Sequence, residues 1–293
     1  MVESILAAAR THWDDLALDG PPPGSFRVIL QSRSRVILFL FSPLQPRFPV
    51  AVAKISRDAR ENTDTELAAT QLQAVRKEIR DEALLGYLPR IILLEPVRGL
   101  SASIESCLPG DPMSLTPSLP FWPAATHHQR NFRAWRVWLT RFQQSTLAPA
   151  QSEDGFPRSW RYGDAHFSNI LLASSRVVGV VDWAGCKRDQ SVMADWLQFV
   201  FQYLVELNNT HLRNASRNQC AAGALEMMLH PPKSRLSQII HVETQTFMAT
   251  WRLDSHQFPD YVRSFLEELV WPEDKSELMR KLDTILSARN AWH

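Results

Sequence analysis

Residues 160–183 read WRYGDAHFSNILLASSRVVGVVDW, and this stretch decides how the rest of the chain is read. Two apolar runs, 170–172 and 177–181, flank Ala-Ser-Ser-Arg at 173–176, the pattern of two short strands joined by a turn. Asp164 falls in a loop before the first strand, Asn169 starts that strand, and Asp182 ends the second, 18 residues after Asp164. A hairpin brings its two ends together, so three oxygen-bearing side chains can meet at its mouth. Hard oxygen ligands of this kind suit magnesium, which takes one or two protein carboxylates plus substrate phosphates. A carboxylate beside the metal can orient and deprotonate an attacking hydroxyl. Taken singly, each residue is ordinary: Gly-Asp is a turn pair, Asn opens strands, and Asp after a strand caps the next element. The information lies in their order and flanks.

Upstream, the segments 26–30 and 36–41 are apolar runs joined by Gln-Ser-Arg-Ser-Arg at 31–35, which reads as a hairpin. Residues 48–55 form a third strand carrying Lys54. Residues 62–79 have helix composition, with Thr63 and Glu66 in capping-box spacing, and 91–94 and 101–107 read as two further strands. A leading helix over 4–16 is broken by the Pro- and Gly-rich run 19–25. Leu-Pro-Gly-Asp-Pro at 108–112 is the clearest break in the chain. Beyond it, helical spacing predominates over 127–146, 191–208, 211–229, 234–251, 257–270 and 273–288. The expected fold class is therefore α+β. A small antiparallel-sheet lobe over 1–108 precedes a mostly helical lobe over 109–293, and ligand sites favour the cleft between such lobes.

The composition excludes several classes. The chain has 293 residues, 45% of them apolar and 22% charged, enough for a sizeable core. A net charge of +1 gives no electrostatic reason to expect a nucleic-acid or membrane surface. The longest apolar run, 36–41, is far short of the roughly 20 residues a bilayer requires. Cys107, Cys186 and Cys220 are odd in number and scattered, so neither a disulfide framework nor a zinc site is expected. With no signal-peptide pattern at the N-terminus, the expected setting is cytoplasmic.

The catalytic segment resembles the aminoglycoside phosphotransferase and choline kinase superfamily, whose signature is close to H-G-D-x-H-x-x-N-I-L followed by a G-V-I-D-W-type strand. Residues 50–54, VAVAK, resemble that family's third strand with its ATP lysine, and 101–110, SASIESCLPG, its hinge strand. The resemblance covers roughly residues 25–200 and implies a protein-kinase-like fold that binds ATP and Mg2+. By it, Asp164 would be the catalytic base, and Asn169 and Asp182 would hold magnesium. Lys54 would contact the α and β phosphates and pair with Glu66, with Glu61 the competitor for that role. Glu105, Ser106 and Cys107 would present backbone groups to adenine, and Asp195 would steady the catalytic loop.

Two departures stand out: Tyr162 replaces the usual first His of the motif, and the phosphate loop 31–35 has no glycine to allow close backbone approach. In that loop Arg33 or Arg35 could contact phosphate directly, but the segment reads more readily as a solvated hairpin tip. The implied function is an ATP-dependent transfer of phosphate to a hydroxyl of a small molecule, by a monomer or homodimer. The alternative is a kinase-fold binding protein with weak or no turnover. The H-R-D, D-F-G and A-P-E motifs of protein kinases are missing. The acids of the second half, from Glu206 to Asp274, are spread through helices and read as solvated faces rather than a pocket for a polycation.

Overall fold

The computed structural model describes residues 2–13, 22–31, 35–116, 124–148, 157–211, 215–230, 232–269 and 275–290. The chain divides into two compact units, Met1–Gly110 with Val178–Cys186, and Asp111–Val177 with Lys187–His293.

In the first unit, β1 (Ser25–Gln31), β2 (Arg35–Ser42), β3 (Gln45–Ser56), β4 (Ile91–Val97) and β5 (Leu100–Ser106) form an antiparallel sheet in the order β1-β2-β3-β5-β4. Strand side chains alternate between faces. Leu38, Leu40, Ala51, Ala53, Ile55, Ala102 and Ile104 are accordingly buried together, under Ile5, Leu6, Ala9 and Trp13 of the leading helix α1 (Val2–Trp13). Each large aliphatic side chain buried this way contributes roughly 1.5–3 kcal/mol. The intervening positions, including Lys54, Ser103 and Glu105, are left for the opposite face. β4 turns into β5 through Arg98 and Gly99, with φ of 55° and 81°. Two successive positive φ values are what a tight hairpin turn matched to strand twist requires, and glycine adopts the second without steric cost.

Helix α2 (Asn62–Glu78) begins differently from the expectation. A short 3-10 turn, Ala59–Glu61, precedes it, capped by Asp58, which accepts the Arg60 N–H at 2.8 Å. The chain is already helical at Asn62, so Thr63 sits inside the first turn and the Thr63–Glu66 capping box does not form. Asn62 instead ties the helix to the sheet: its Nδ2 donates to the Gly99 carbonyl and its Oδ1 accepts from the Ser101 N–H.

The second unit is built on helices α3 (Ala124–Ser145), α4 (Met193–His211), α5 (Arg217–Leu229), α6 (Arg235–Thr250), α7 (Phe258–Glu268) and α8 (Lys275–Asn290). Its core is aromatic. Trp135 stacks on Trp138 at 5.1 Å and Trp196 on Phe247 at 5.1 Å, with Phe132 and Phe199 between the helices. Arg136 and the buried Glu243, 2.6 Å apart, pin α3 to α6. Strands β6 (Asp111–Pro112), β7 (Arg158–Arg161), β8 (Ile170–Ala173), β9 (Arg176–Val180) and β10 (Lys187–Ser191) complete the fold. β8 and β9 are the expected hairpin, turning at Ser174 and Ser175, and β9 runs on past Val177 into the first unit. The β7–β10 ribbon was not expected, because neither strand shows alternation or an apolar run. Among the described residues no helix is long and apolar enough to cross a membrane.

Candidate active site

The candidate catalytic loop lies in the second unit, between β7 and β8. Asn169 Nδ2 donates to Asp164 Oδ2 at 2.8 Å, so two of the three oxygen-bearing side chains meet, the candidate base and one candidate magnesium ligand. A 3-10 turn, Phe167–Asn169, makes this possible by closing the loop just before β8. His166 caps that turn: its Nδ1 accepts the Ser168 N–H and stands 2.6 Å from Ser168 Oγ. Burial pushes the His166 imidazole down, against the pull of Glu206. The residue therefore serves the shape of the loop.

The peptide before Asp164 is held tightly. Asp195, fully buried near the start of α4, accepts the N–H of Tyr162 at 2.6 Å and of Gly163 at 2.8 Å. This is the role expected for it. Burial pushes its carboxyl up, while Arg161 at 3.9 Å and the two N–H donors draw it down. Gly163 has a φ of 85°, a conformation that only glycine adopts without strain, which explains glycine immediately before Asp164. Tyr162 is buried edge-on against Trp135, with ring centroids 6.3 Å apart. Where the family motif has histidine, this chain has a packing residue.

A second polar cluster lies behind the loop. Tyr203 of α4 packs against Phe167 with centroids 6.2 Å apart. Its hydroxyl accepts from Asn131 Nδ2 at 3.0 Å and stands 2.8 Å from His128 Nδ1. The phenolic oxygen can still donate its proton to, or accept one from, His128 Nδ1, so the three side chains form one buried polar network. Burial pushes His128 down to about 4 and raises Tyr203. Sequence reasoning missed this cluster, which joins residues more than 70 positions apart.

In the first unit the candidate residues are arranged otherwise than expected. Lys54 Nζ pairs with Glu105 Oε1 at 2.9 Å, not with Glu66. The strand register explains it. Lys54 faces Ser103 and Val52 faces Glu105, so Lys54 and Glu105 are diagonal neighbours on one face of the sheet. Glu66 is exposed on α2 and accepts a hydrogen bond from Ser101 Oγ. Glu61, the competitor, ends the 3-10 turn, and its backbone carbonyl accepts from Ser56 Oγ at 3.2 Å. In the hinge segment, the Ser106 N–H donates to the Arg90 carbonyl at 2.8 Å and the Cys107 N–H to the Val50 carbonyl at 3.1 Å. Burial raises the Cys107 thiol.

Asp182 belongs to this unit too. Its φ of 63° puts it in the left-handed region, which Asp tolerates better than most residues but which still stores strain. Strained backbone of this sort clusters at functional sites. Its Oδ1 is buried without a hydrogen bond among the described residues and lies 3.7 Å from Arg35 Nη1. A buried carboxylate oxygen lacking a donor fits a metal ligand, since a cation would satisfy it. Arg35 also donates to the Asp64 carbonyl at 3.2 Å. Residues 32–34 of the expected phosphate loop, Arg33 among them, lie outside the described residues. Among the described residues no three His, Cys, Asp or Glu side chains group to hold a metal ion by themselves. Magnesium here would therefore need phosphate oxygens to complete its shell, as it usually does.

A cavity of about 410 Å³ in the second unit is bounded by the β7–β10 ribbon, the start of α4 and α7, with Arg158, Tyr261, Phe265 and Glu268 in its walls. None of the sequence-derived site residues lines it.

Four of the acids considered for a polycation pocket have partners within the fold. Glu226 pairs with Lys281, Glu243 with Arg136 and Glu268 with Arg161, and Asp254 caps a 3-10 turn. Glu273 and Asp274 lie outside the described residues. The tryptophans Trp135, Trp183 and Trp196 are buried in the core.

The five-stranded sheet, the catalytic loop and the helical second unit define a protein-kinase-like fold of the kind found in aminoglycoside phosphotransferases. No protein-family model matches the sequence, and no curated protein matches it. Solved structures do. The aminoglycoside phosphotransferase APH(3'')-Id of Streptomyces rimosus, in complex with ADP and streptomycin, superposes with a TM-score of 0.52 at 12% identity, covering 93% of this chain and 97% of that one. A thermostable mutant of aminoglycoside phosphotransferase APH(4)-Ia gives 0.47 at 10% identity over 95% and 98%. The macrolide 2'-phosphotransferase MphH of Brachybacterium faecium gives 0.44 at 12% over 93% and 98%. At such identities the likeness is one of fold.

Proposed function

We propose that the protein is an ATP-dependent phosphotransferase that moves the γ-phosphate to a hydroxyl of a small molecule. The observation that carries this reading is the catalytic loop: Asp164 and Asn169 share a hydrogen bond of 2.8 Å, on a loop whose preceding peptide is held by a fully buried carboxylate. Asp164 would take the proton of the acceptor hydroxyl as that oxygen attacks the γ-phosphorus and the bond from phosphorus to the β–γ bridging oxygen breaks, releasing ADP. The side-chain oxygen of Asn169 and the carboxylate of Asp182 would hold magnesium. Bound magnesium supplies neutralisation of the charge that gathers on the transferring phosphoryl group. Lys54, on the face of the sheet away from α1, would bind the α and β phosphates by exchanging Glu105 for them. Glu66 would act at one remove, fixing α2 to β5 through Ser101. Residues 105–107 would meet adenine mainly through their carbonyls, since the Ser106 and Cys107 amides are engaged. That the Streptomyces rimosus enzyme of this fold carries ADP and streptomycin supports a nucleotide beside a small acceptor. The protein would act in the cytoplasm, as a monomer or homodimer.

The test is phosphate transfer from labelled ATP to a panel of amino alcohols, sugars and aminoglycosides. Turnover should appear with at least one acceptor and fall by about 10²–10⁴-fold in Asp164→Ala. Transfer that survives this substitution would refute the role of Asp164.

A second reading, a kinase-fold binding protein without turnover, is favoured by two features: Lys54 is bound to Glu105, and two hinge amides are occupied. It predicts nucleotide or ligand binding with no phosphate transfer to any acceptor.

A further inference from the structure

The residue before Asp164 is fixed at every polar backbone atom it has. Asp195 takes the Gly163 N–H, and Gln198 Nε2 donates to the Gly163 carbonyl at 3.0 Å. Asp195 and Gln198 are three residues apart on α4 and so share one face of the helix. Arg161, the last residue of β7, links both to a third element. Its Nη2 donates to Gln198 Oε1 at 3.4 Å, its Nη1 to Glu268 Oε2 of α7 at 2.7 Å, and its Nε stands 3.9 Å from Asp195 Oδ1. The Arg161 contact settles the orientation of the Gln198 amide: oxygen toward the guanidinium, nitrogen toward Gly163. Gly163 needs this restraint, because at a φ of 85° its own conformational preference is broad.

We infer that Gln198, Arg161 and Glu268 form a positioning clamp that acts through the Gly163 peptide to set the direction of the Asp164 carboxylate. Asp195 holds the N–H side of that peptide and Gln198 its carbonyl side. Arg161 keeps the two in register, and Glu268 anchors Arg161 to α7. None of the three clamp residues touches the reacting atoms in this scheme. Their effect is on orientation, where a displacement of about 1 Å can cost 10²-fold in rate. The inference rests on the phosphotransferase reading for its kinetic consequence, but the clamp itself is open to a separate measurement.

Gln198→Met keeps the length of the side chain and removes its donor. Glu268→Gln, at an exposed side chain, keeps the fold and weakens the anchor. Hydrogen exchange of the segment 160–166, on the full chain without ligand, should rise about tenfold in Gln198→Met and severalfold in Glu268→Gln. With Mg-ATP, hydrolysis or transfer should lose about tenfold in kcat in Gln198→Met with KM for ATP within threefold. The double variant should lose less than the product of the single losses, because both act on one linkage. Unchanged exchange over 160–166, or multiplicative losses in the double variant, would overturn the clamp. An equal loss in kcat and in global stability would reduce it to a structural contact. Wild-type protein that neither binds nor turns over Mg-ATP would defeat the phosphotransferase reading while the exchange result still judges the clamp.

Discussion

The loop around Asp164 and the sheet face around Lys54 were both read from the same kind of motif, yet they are organised in opposite ways. Around Asp164 the expected partners meet: Asn169 bonds Asp164, and Asp195 bonds the two preceding amides. Around Lys54 they do not: Lys54 takes Glu105, and Glu66 takes Ser101. The difference lies in what sets each contact. Asp164 and Asn169 are separated by a single 3-10 turn, so local backbone geometry delivers one to the other. The partner of Lys54 is chosen by strand register and by the rotation of α2, neither of which a motif contains. The first region turns on a fully buried carboxylate that takes two amide donors, the second on a largely buried ion pair chosen by strand register.

The comparison can be broken most forcefully at Asp195. Asp195→Ala leaves two buried N–H donors without an acceptor and Arg161 without its buried countercharge. At about 1–3 kcal/mol for each unsatisfied donor, the loss of stability should be about 2–5 kcal/mol in urea unfolding. A loss under about 1 kcal/mol would mean that the loop is not held as described.

The next effect is a pH window behind the same loop. His128 falls from 6.5 to about 4 in the folded protein. Between those values the unfolded chain binds a proton that the folded chain refuses. Stability from this site is therefore complete above pH 6.5 and is lost as the pH falls toward 4, by at most about 3 kcal/mol. Unfolding at pH 7, 5.5 and 4 should show the decline, and His128→Gln should flatten it.

On the sheet face the expected effects are smaller. Glu105→Gln leaves Lys54 a neutral acceptor and should cost about 1–3 kcal/mol. If Lys54 then moves to Glu66, the cost is smaller, and Glu66→Gln becomes more damaging in that background than alone. Ser101→Ala, which removes one hydrogen bond to an exposed carboxylate, should cost only about 0.5–1 kcal/mol. Thermal unfolding of these variants would show how far the sheet face depends on the Lys54–Glu105 pair.

Much of the fold was legible because periodicity and breakers carry it. The sheet strands, α2 and the helices α3 to α8 fall close to the segments read from apolar spacing. The β7–β10 ribbon was not legible, since Arg-Ser-Trp-Arg and Lys-Arg-Asp-Gln-Ser are polar strands that pair for tertiary reasons. The start of α2 was misread because Asp58, a better cap, lies five residues before Thr63. In the site, Asp164, Asn169 and Asp195 stood out because their relation is local or helix-borne. Gln198 left a faint signal, three residues beyond Asp195 on the same helix. The exchange of Glu66 for Glu105 left none, because residues 54 and 105 meet only once the register of β3 and β5 is fixed.

The central claim is a magnesium–nucleotide site that uses Lys54 and Asp182, and isothermal titration of the full chain with Mg-ATP tests it most directly. The account predicts one site per chain, weakened at least tenfold in Lys54→Met and dependent on magnesium in the wild type but not in Asp182→Ala. Absence of any binding heat in the wild type, or binding indifferent to both substitutions, would contradict it.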